Sequence, residues 1–256
     1  MLASRRVLGL APLTGALFGV HSTAAPRMQS SSTGSDAETA TTTTARLAAL
    51  EARATALEAR TTLATPTDVL AYWFAGDAAA QRRRHWYGLP EVDAEIRQRF
   101  GATWAALAAE ESPLARQWAA GGMHSVLALI IVWDQFSRQL WRGDGRSFAC
   151  DGRAGALAMA TVRACGNDLA AAGLGEYEAV FLKMPLQHSE DLAVQRLNAQ
   201  LCLAADASEA REHVAGHLAV IERFGRYPKR NAALGRQSTP EELAYLGSDE
   251  AKGRAY

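Results

Sequence analysis

Apolar positions along most of this chain recur every three or four residues and nowhere alternate convincingly, so the pattern predicts helices and no strand. Val69, Leu70, Trp73 and Phe74 open the first stripe, directly after Thr65-Pro66-Thr67-Asp68, which supplies a cap, a proline at the first helical position and an acid in the first turn. Val92, Ile96, Phe100 and Leu107 form a second stripe, with Glu95 and Arg99 one turn apart on its wet side. Ser112-Pro113 starts a short helix that Gly121-Gly122 closes, and a long helix opens around Met123. Residues 126–133 are apolar without interruption, so that part of the long helix is enclosed on nearly every side. Its next two turns carry Asp134, Gln135, Arg138 and Arg142. Asp134, Arg138 and Arg142 are four apart and stack on one face that continues Ile130, either as an ion pair that orders packing or as working groups.

Residues 148–165 read as a helix of mostly small residues, with Asp151 in its first turn and Gly166 as its terminator. Asp206-Ala207-Ser208-Glu209 resembles a capping box, after which Val214, His217, Leu218, Ile221 and Phe224 form a stripe that ends at Gly225. Thr239-Pro240-Glu241-Glu242 is a second such box and starts a last helix through Leu243 and Leu246. These elements add up to an all-α class, a compact domain of antiparallel helices over residues 66–256.

The chain before that domain has a different character. Residues 1–35 hold Arg5, Arg6 and Arg27 but no acid, and their apolar run, 7–20, is broken by Pro12. This predicts a targeting segment for an organelle, mitochondrion or plastid, with a secretory or periplasmic signal as the alternative. The run is too short and too interrupted for a stable membrane span. Residues 36–65 read as a disordered Ser/Thr/Ala-rich linker holding a short helical spacer, in which Ala49-Leu50-Glu51-Ala52-Arg53 recurs as Ala56-Leu57-Glu58-Ala59-Arg60.

With 27 basic and 27 acidic side chains in 256 residues, the overall charge balance draws the protein towards neither nucleic acid nor an anionic membrane. Arg82-Arg83-Arg84 beside Trp86 and Tyr87 therefore reads as a solvated turn. Cys150, Cys165 and Cys202 suit neither a disulfide framework nor a zinc site and read as small core residues. His213 and His217 are four apart, but Val214-Ala215-Gly216 between them lacks the glutamate of a metalloprotease helix, and no metal is assigned.

Three polar clusters break the helical pattern. Asp134, Gln135, Arg138 and Arg142 extend the enclosed helix. His188-Ser189-Glu190-Asp191 reads as a serine cap with two acids in a first turn, while His188, just before the cap, is free to donate to a ligand. Arg226, Arg230, Asn231 and Arg236 lie in one turn with Gly225 and Pro228. Guanidinium forks there suit carboxylate or phosphate, or else tie helix ends by bonding free carbonyls.

Val69-Leu70-Ala71-Tyr72-Trp73-Phe74, Trp133-Asp134-Gln135-Phe136-Ser137-Arg138, Arg142-Gly143, Phe148-Ala149-Cys150-Asp151, Met184-Pro185-Leu186-Gln187-His188-Ser189-Glu190-Asp191 and residues 224–242 together resemble the family catalogued as domain of unknown function 924. The resemblance runs from about residue 69 to 246 and implies an all-helical fold similar to tetratricopeptide-like helical domains. It brings no established activity. Lys229 stands where that family usually has histidine, and residues 247–256 lack its usual Gly-Phe tail.

The expectation is a module that binds a peptide or small anionic ligand in a polar cleft where the three clusters converge, with at least one guanidinium left free. Its candidate residues are Asp134, Gln135, Arg138, Arg142, Asp151, His188, Glu190, His217, Arg226, Arg230 and Asn231. The alternative is a hydrolase using acid-base or metal-assisted chemistry at His188, Glu190, Asp134 and Asp151. No cofactor is indicated.

Overall fold

The computed structural model describes residues 45–50, 62–76, 89–203 and 208–252. The expected targeting segment, most of the linker with the second heptad copy, the 82–87 stretch, the first half of the 206–209 capping box and residues 253–256 lie outside the described residues. The chain divides after Ala52 into two units. In the first, residues 45–50 are helical, with Leu47 and Leu50 exposed.

In the second unit α1 is Pro66–Trp73, α2 Pro90–Ala108, α3 Pro113–Ala120 and α4 Met123–Ile130, which runs into a π-helical segment, Ile131–Phe136, and then α5, Ser137–Leu140. A 3₁₀ turn at Gly145–Phe148 leads to α6, Asp151–Ala164, followed by α7, Glu176–Gln187, α8, Leu192–Leu203, and α9, Ser208–Phe224. A second 3₁₀ turn, Pro228–Arg230, precedes α10, Pro240–Leu246, and α11, Asp249–Lys252. No strand occurs among the described residues, and no helix there is long and apolar enough to cross a membrane.

Thr65 caps α1 as its sequence predicts: its hydroxyl accepts from the Asp68 amide at 3.2 Å while the Asp68 carboxylate accepts from the Thr65 amide at 2.8 Å. Replacing Thr65 with alanine is expected to lower stability by about 1 kcal/mol, read from the urea denaturation midpoint. Val69, Tyr72 and Trp73 carry α1 into the core. There Tyr72, Phe100 and Phe136 meet one another, and Trp73 meets Phe136 and Phe181, with ring centroids 4.8 to 6.3 Å apart. The expected enclosure holds: residues 126–133, from the second turn of α4 into the π segment, are all buried, and α4 packs against α1, α3, α6 and α7.

The π segment changes what that enclosed helix can present. A wider turn holds one extra residue and rotates the downstream positions relative to α-helical spacing. Side chains then bond the carbonyls in the widened turns: Ser137 Oγ donates to the Trp133 carbonyl at 2.6 Å and Arg138 Nη1 to that of Asp134 at 2.6 Å. The helix stops at Leu140, and Gly143, at φ +80°, turns the chain away. Arg142 therefore leaves the line of Asp134 and Arg138. It pairs instead with Asp93 on α2, at 2.9 Å, and is half exposed. That corrects the expected three-residue face.

Two helix starts also differ from expectation. Residues 145–148 form a separate 3₁₀ turn, so α6 begins at Asp151. Asp191, not Ser189, caps α8, because its carboxylate accepts from the amides of Ala193 and Val194 at 2.7 and 3.3 Å. In α10, Leu243 is exposed, and Glu242 and Tyr245 face inward. Tyr245 joins Val220, Ile221, Tyr227 and Ala251 in a second, smaller apolar cluster beside α9. All three cysteines are free.

Candidate functional site

Asp134, in the π segment, has no exposed surface. An enclosed carboxylate is tolerated only when several donors replace its water. His188 Nδ1 lies 2.8 and 2.9 Å from its two oxygens, Arg138 Nη1 3.0 Å from one of them, and Gln135 Nε2 2.5 Å from the other. Pro185 removes one amide from the last turns of α7, and the helix ends at Gln187, which leaves His188 in the capping position facing the π segment.

From Asp134 the network runs outward through alternating charges. Arg138 makes a two-point contact with Asp151 at the start of α6, at 3.0 and 2.9 Å. Arg230, in the 3₁₀ turn after α9, donates to the same carboxylate at 3.1 Å and to the His188 carbonyl at 2.9 Å. Its guanidinium lies between the rings of Phe148 and Tyr227, 4.6 and 4.5 Å from their centroids. Two carboxylates thus face two guanidiniums. Glu190 accepts from the Tyr227 amide at 2.7 Å and from both Arg236 amino groups at 2.7 and 2.9 Å. Arg226 clasps Glu242 at 2.6 and 2.8 Å, and Asn231 donates to Ser238 and Glu242 at 3.0 and 3.2 Å.

Four of the five clustered arginines are therefore spent on carboxylates within these networks, and the fifth, Arg142, is spent on Asp93. The expectation of a guanidinium left free for an anion does not hold. Asp134, Gln135, Arg138, Asp151, His188 and Arg230 do come together, His217 stands beside them, and Glu190 adjoins them through Tyr227. Arg226 and Asn231 belong to a neighbouring pair with Glu242. His217 donates from Nδ1 to the carbonyl of His213, whose side chain is exposed, at 2.7 Å. Its ring centroid lies 6.1 Å from that of His188 and 5.8 Å from that of Tyr227. Among the described residues no group of three or more His, Cys, Asp or Glu side chains is placed to hold a metal ion.

Protonation states follow from these contacts. Burial alone would raise the Asp134 pKa, but Arg138, His188 and Gln135 outweigh it and hold the carboxyl below its ordinary value. Burial lowers the His188 pKa, with Arg138 and Arg230 adding to the effect and Asp134 opposing it. The pair is thus an ionised carboxylate and a neutral imidazole, in which Nδ1 carries the proton and Nε2 the lone pair. Among the described residues no group hydrogen bonds to Nε2, and it is not one of the enclosed polar atoms; the side chain keeps 9% of its surface exposed. His217 is pushed down to about 3 by burial and by His188. Burial would raise Glu190, yet Arg236 and the Tyr227 amide hold it below its ordinary value.

The family model described as bacterial protein of unknown function (DUF924) matches residues 69–250. The chain belongs to this family. Among solved structures it is similar to the protein of unknown function ATU0120 from Agrobacterium tumefaciens, with 29% identity over 71% of this chain and 96% of that one and a TM-score of 0.60. No curated protein matches it. The matched span of this DUF924 chain contains every residue of the network just described.

Within the DUF924 domain, Tyr227, Gln195 and Glu242 were not among the expected site residues, and Arg236 was expected only as part of the basic turn. Tyr227 Oη donates to the Gln187 carbonyl at 2.5 Å, while Gln195 Nε2 lies 2.6 and 2.7 Å from the carbonyls of Gln187 and Ser189 and 2.8 Å from Tyr227 Oη. These bonds fix the backbone on either side of His188. A signal for Gln195 was present: with Asn198 it places two polar residues three apart among Leu192, Val194, Leu197 and Leu201, and both are buried. Lys229 is partly buried, and burial lowers its pKa.

Proposed function

We propose that this domain binds a small ligand against His188 and exchanges a proton with it, as an acid-base enzyme of the hydrolytic type. The observation that carries the reading is the Asp134–His188 pair, in which both oxygens of an enclosed carboxylate hold Nδ1 and no described residue engages Nε2. A carboxylate in that position fixes the ring and its tautomer and stabilises the imidazolium once a proton arrives. Among the described residues no hydroxyl or thiol bonds Nε2, so the nucleophile in this reading is a water that His188 deprotonates. A plain binding module that grips an anion by guanidinium forks has less support, because the arginines are engaged with protein carboxylates.

Screening the full chain against chromogenic esters, amides and phosphoesters tests the proposal. A hydrolysed substrate class is expected, with His188→Gln lowering kcat by about 10² to 10⁴. The base must be neutral to act and its pKa is lowered, so the rate should hold flat through neutral pH and fall only below about 6.5. Turnover that survives His188→Gln, or a flat acid limb, would sink the proposal.

A further inference from the structure

The charge count around His188 constrains what can sit on Nε2. Asp134 faces the ring from the π segment, Arg138 from α5, Arg230 and Tyr227 from the turn after α9, and His217 from α9. Asp151, behind both guanidiniums, completes the balance of two negative and two positive groups. With the imidazole neutral, the cluster has no surplus charge. An anion arriving alone would lack a positive partner in a poorly solvated place, and one arriving with a proton on Nε2 would meet an imidazolium.

We infer that the acid formed or bound at this site is a carboxylic acid, held as its monoanion against a protonated Nε2, so that one proton is taken up with each carboxylate. The inference rests on the reading that His188 faces the ligand. It names the chemistry of one product. In ester or amide hydrolysis, water attacks the carbonyl, the C–O or C–N bond breaks, the leaving group departs protonated, and the new acid loses a proton that Nε2 accepts. The result is a carboxylate paired with imidazolium. A phosphate dianion fits less well, because one proton leaves it with an uncompensated charge.

Long-range ¹H–¹⁵N spectra of the histidine side chains in the full chain, titrated with acetate, with inorganic phosphate and with methylammonium, test this directly. About 100 mM acetate is expected to raise the titration midpoint of His188 and leave exposed His124 and His213 unmoved. Acetate affinity should fall about tenfold per pH unit above that midpoint. Phosphate above pH 7 and methylammonium should do neither. A His188 midpoint unmoved by acetate, acetate binding independent of pH, or an equal response to phosphate dianion overturns the inference while leaving the ligand-facing role of His188 standing. If the free protein instead carries its His188 proton on Nε2, the reading beneath it falls as well.

Discussion

Replacing Asp134 with alanine is expected to cost the domain about 3 to 5 kcal/mol, the range found when one partner of a buried ionic network is removed. The change strands three donors at once, because Arg138, His188 and Gln135 all converge on that carboxylate and the site has no exposure through which water could take its place. Asp134→Asn keeps the shape and one acceptor oxygen. Its cost should be smaller, since Arg138 retains Asp151. Replacing Asp134, Arg138 and His188 together by leucine, methionine and phenylalanine removes the charges with their partners, and a large part of the loss should return. Urea denaturation of the four proteins measures the series. A loss below about 1 kcal/mol for Asp134→Ala would mean that the network relaxes to solvent and is not the enclosed cluster its geometry describes.

How far this could be read from the sequence depends on which forces act locally. The caps at Thr65, Ser112 and Thr239 and the stripe Val92, Ile96, Phe100 and Leu107 are legible because neighbouring residues decide them. The enclosure of residues 126–133 is equally plain, as an apolar run has only one place to go. What the spacing could not supply is the π segment. A single widened turn leaves no mark in hydrophobic periodicity, and neither does the stop at Leu140 that takes Arg142 off the line of Asp134 and Arg138 and leaves it to Asp93. The partners of the basic turn were hidden for a different reason. Arg226 meets Glu242 sixteen residues on, and Arg236 meets Glu190 forty-six residues back. Glu242 and Asp191 both look like first-turn acids of a helix, which gives no sign that Glu242, itself buried, also pairs with the partly exposed Arg226 while Asp191 only caps.

The same distribution makes the network stiff around a polar centre. Arg230 joins Asp151 on α6 to the His188 carbonyl at the end of α7, and Glu190 ties the start of α8 to the Tyr227 amide beyond α9. Four elements that are distant in the chain therefore fix one imidazole. Placing a reactive group by rigid elements is what proton transfer asks of a scaffold, because the acceptor must already stand within hydrogen-bond reach.

Acidification should weaken the fold well before its carboxylates begin to protonate. His217 is held at about 3 against an ordinary 6.5, chiefly by burial, and the His188 pKa is lowered for the same first reason. Below pH 6.5 the unfolded chain takes up a proton at each of these positions while the folded chain does not. Stability contributed by a histidine of lowered pKa is therefore fully present above 6.5 and drains as pH falls towards the folded value. For His217 the slope is about 1.4 kcal/mol per pH unit, or about 3 kcal/mol between pH 7 and 4.5, and His188 adds with the same sign. Below about pH 4.5 Glu242, held at about 2 by Arg226, and Asp134 and Glu190, also lowered, lose their contributions in turn. On the alkaline side Cys150 and Tyr227, both raised by burial, stay neutral in the fold and ionise in the unfolded chain, so stability falls again above about pH 9. A plateau between about pH 7 and 9 is the expected profile, measured as urea denaturation midpoints. His217→Gln should flatten the limb between pH 6.5 and 4.5 without changing the alkaline one. Equal wild-type midpoints at pH 7 and pH 5 would show that neither ring is buried as a neutral imidazole, and the protonation states assigned to the His188 site would have to be abandoned with them.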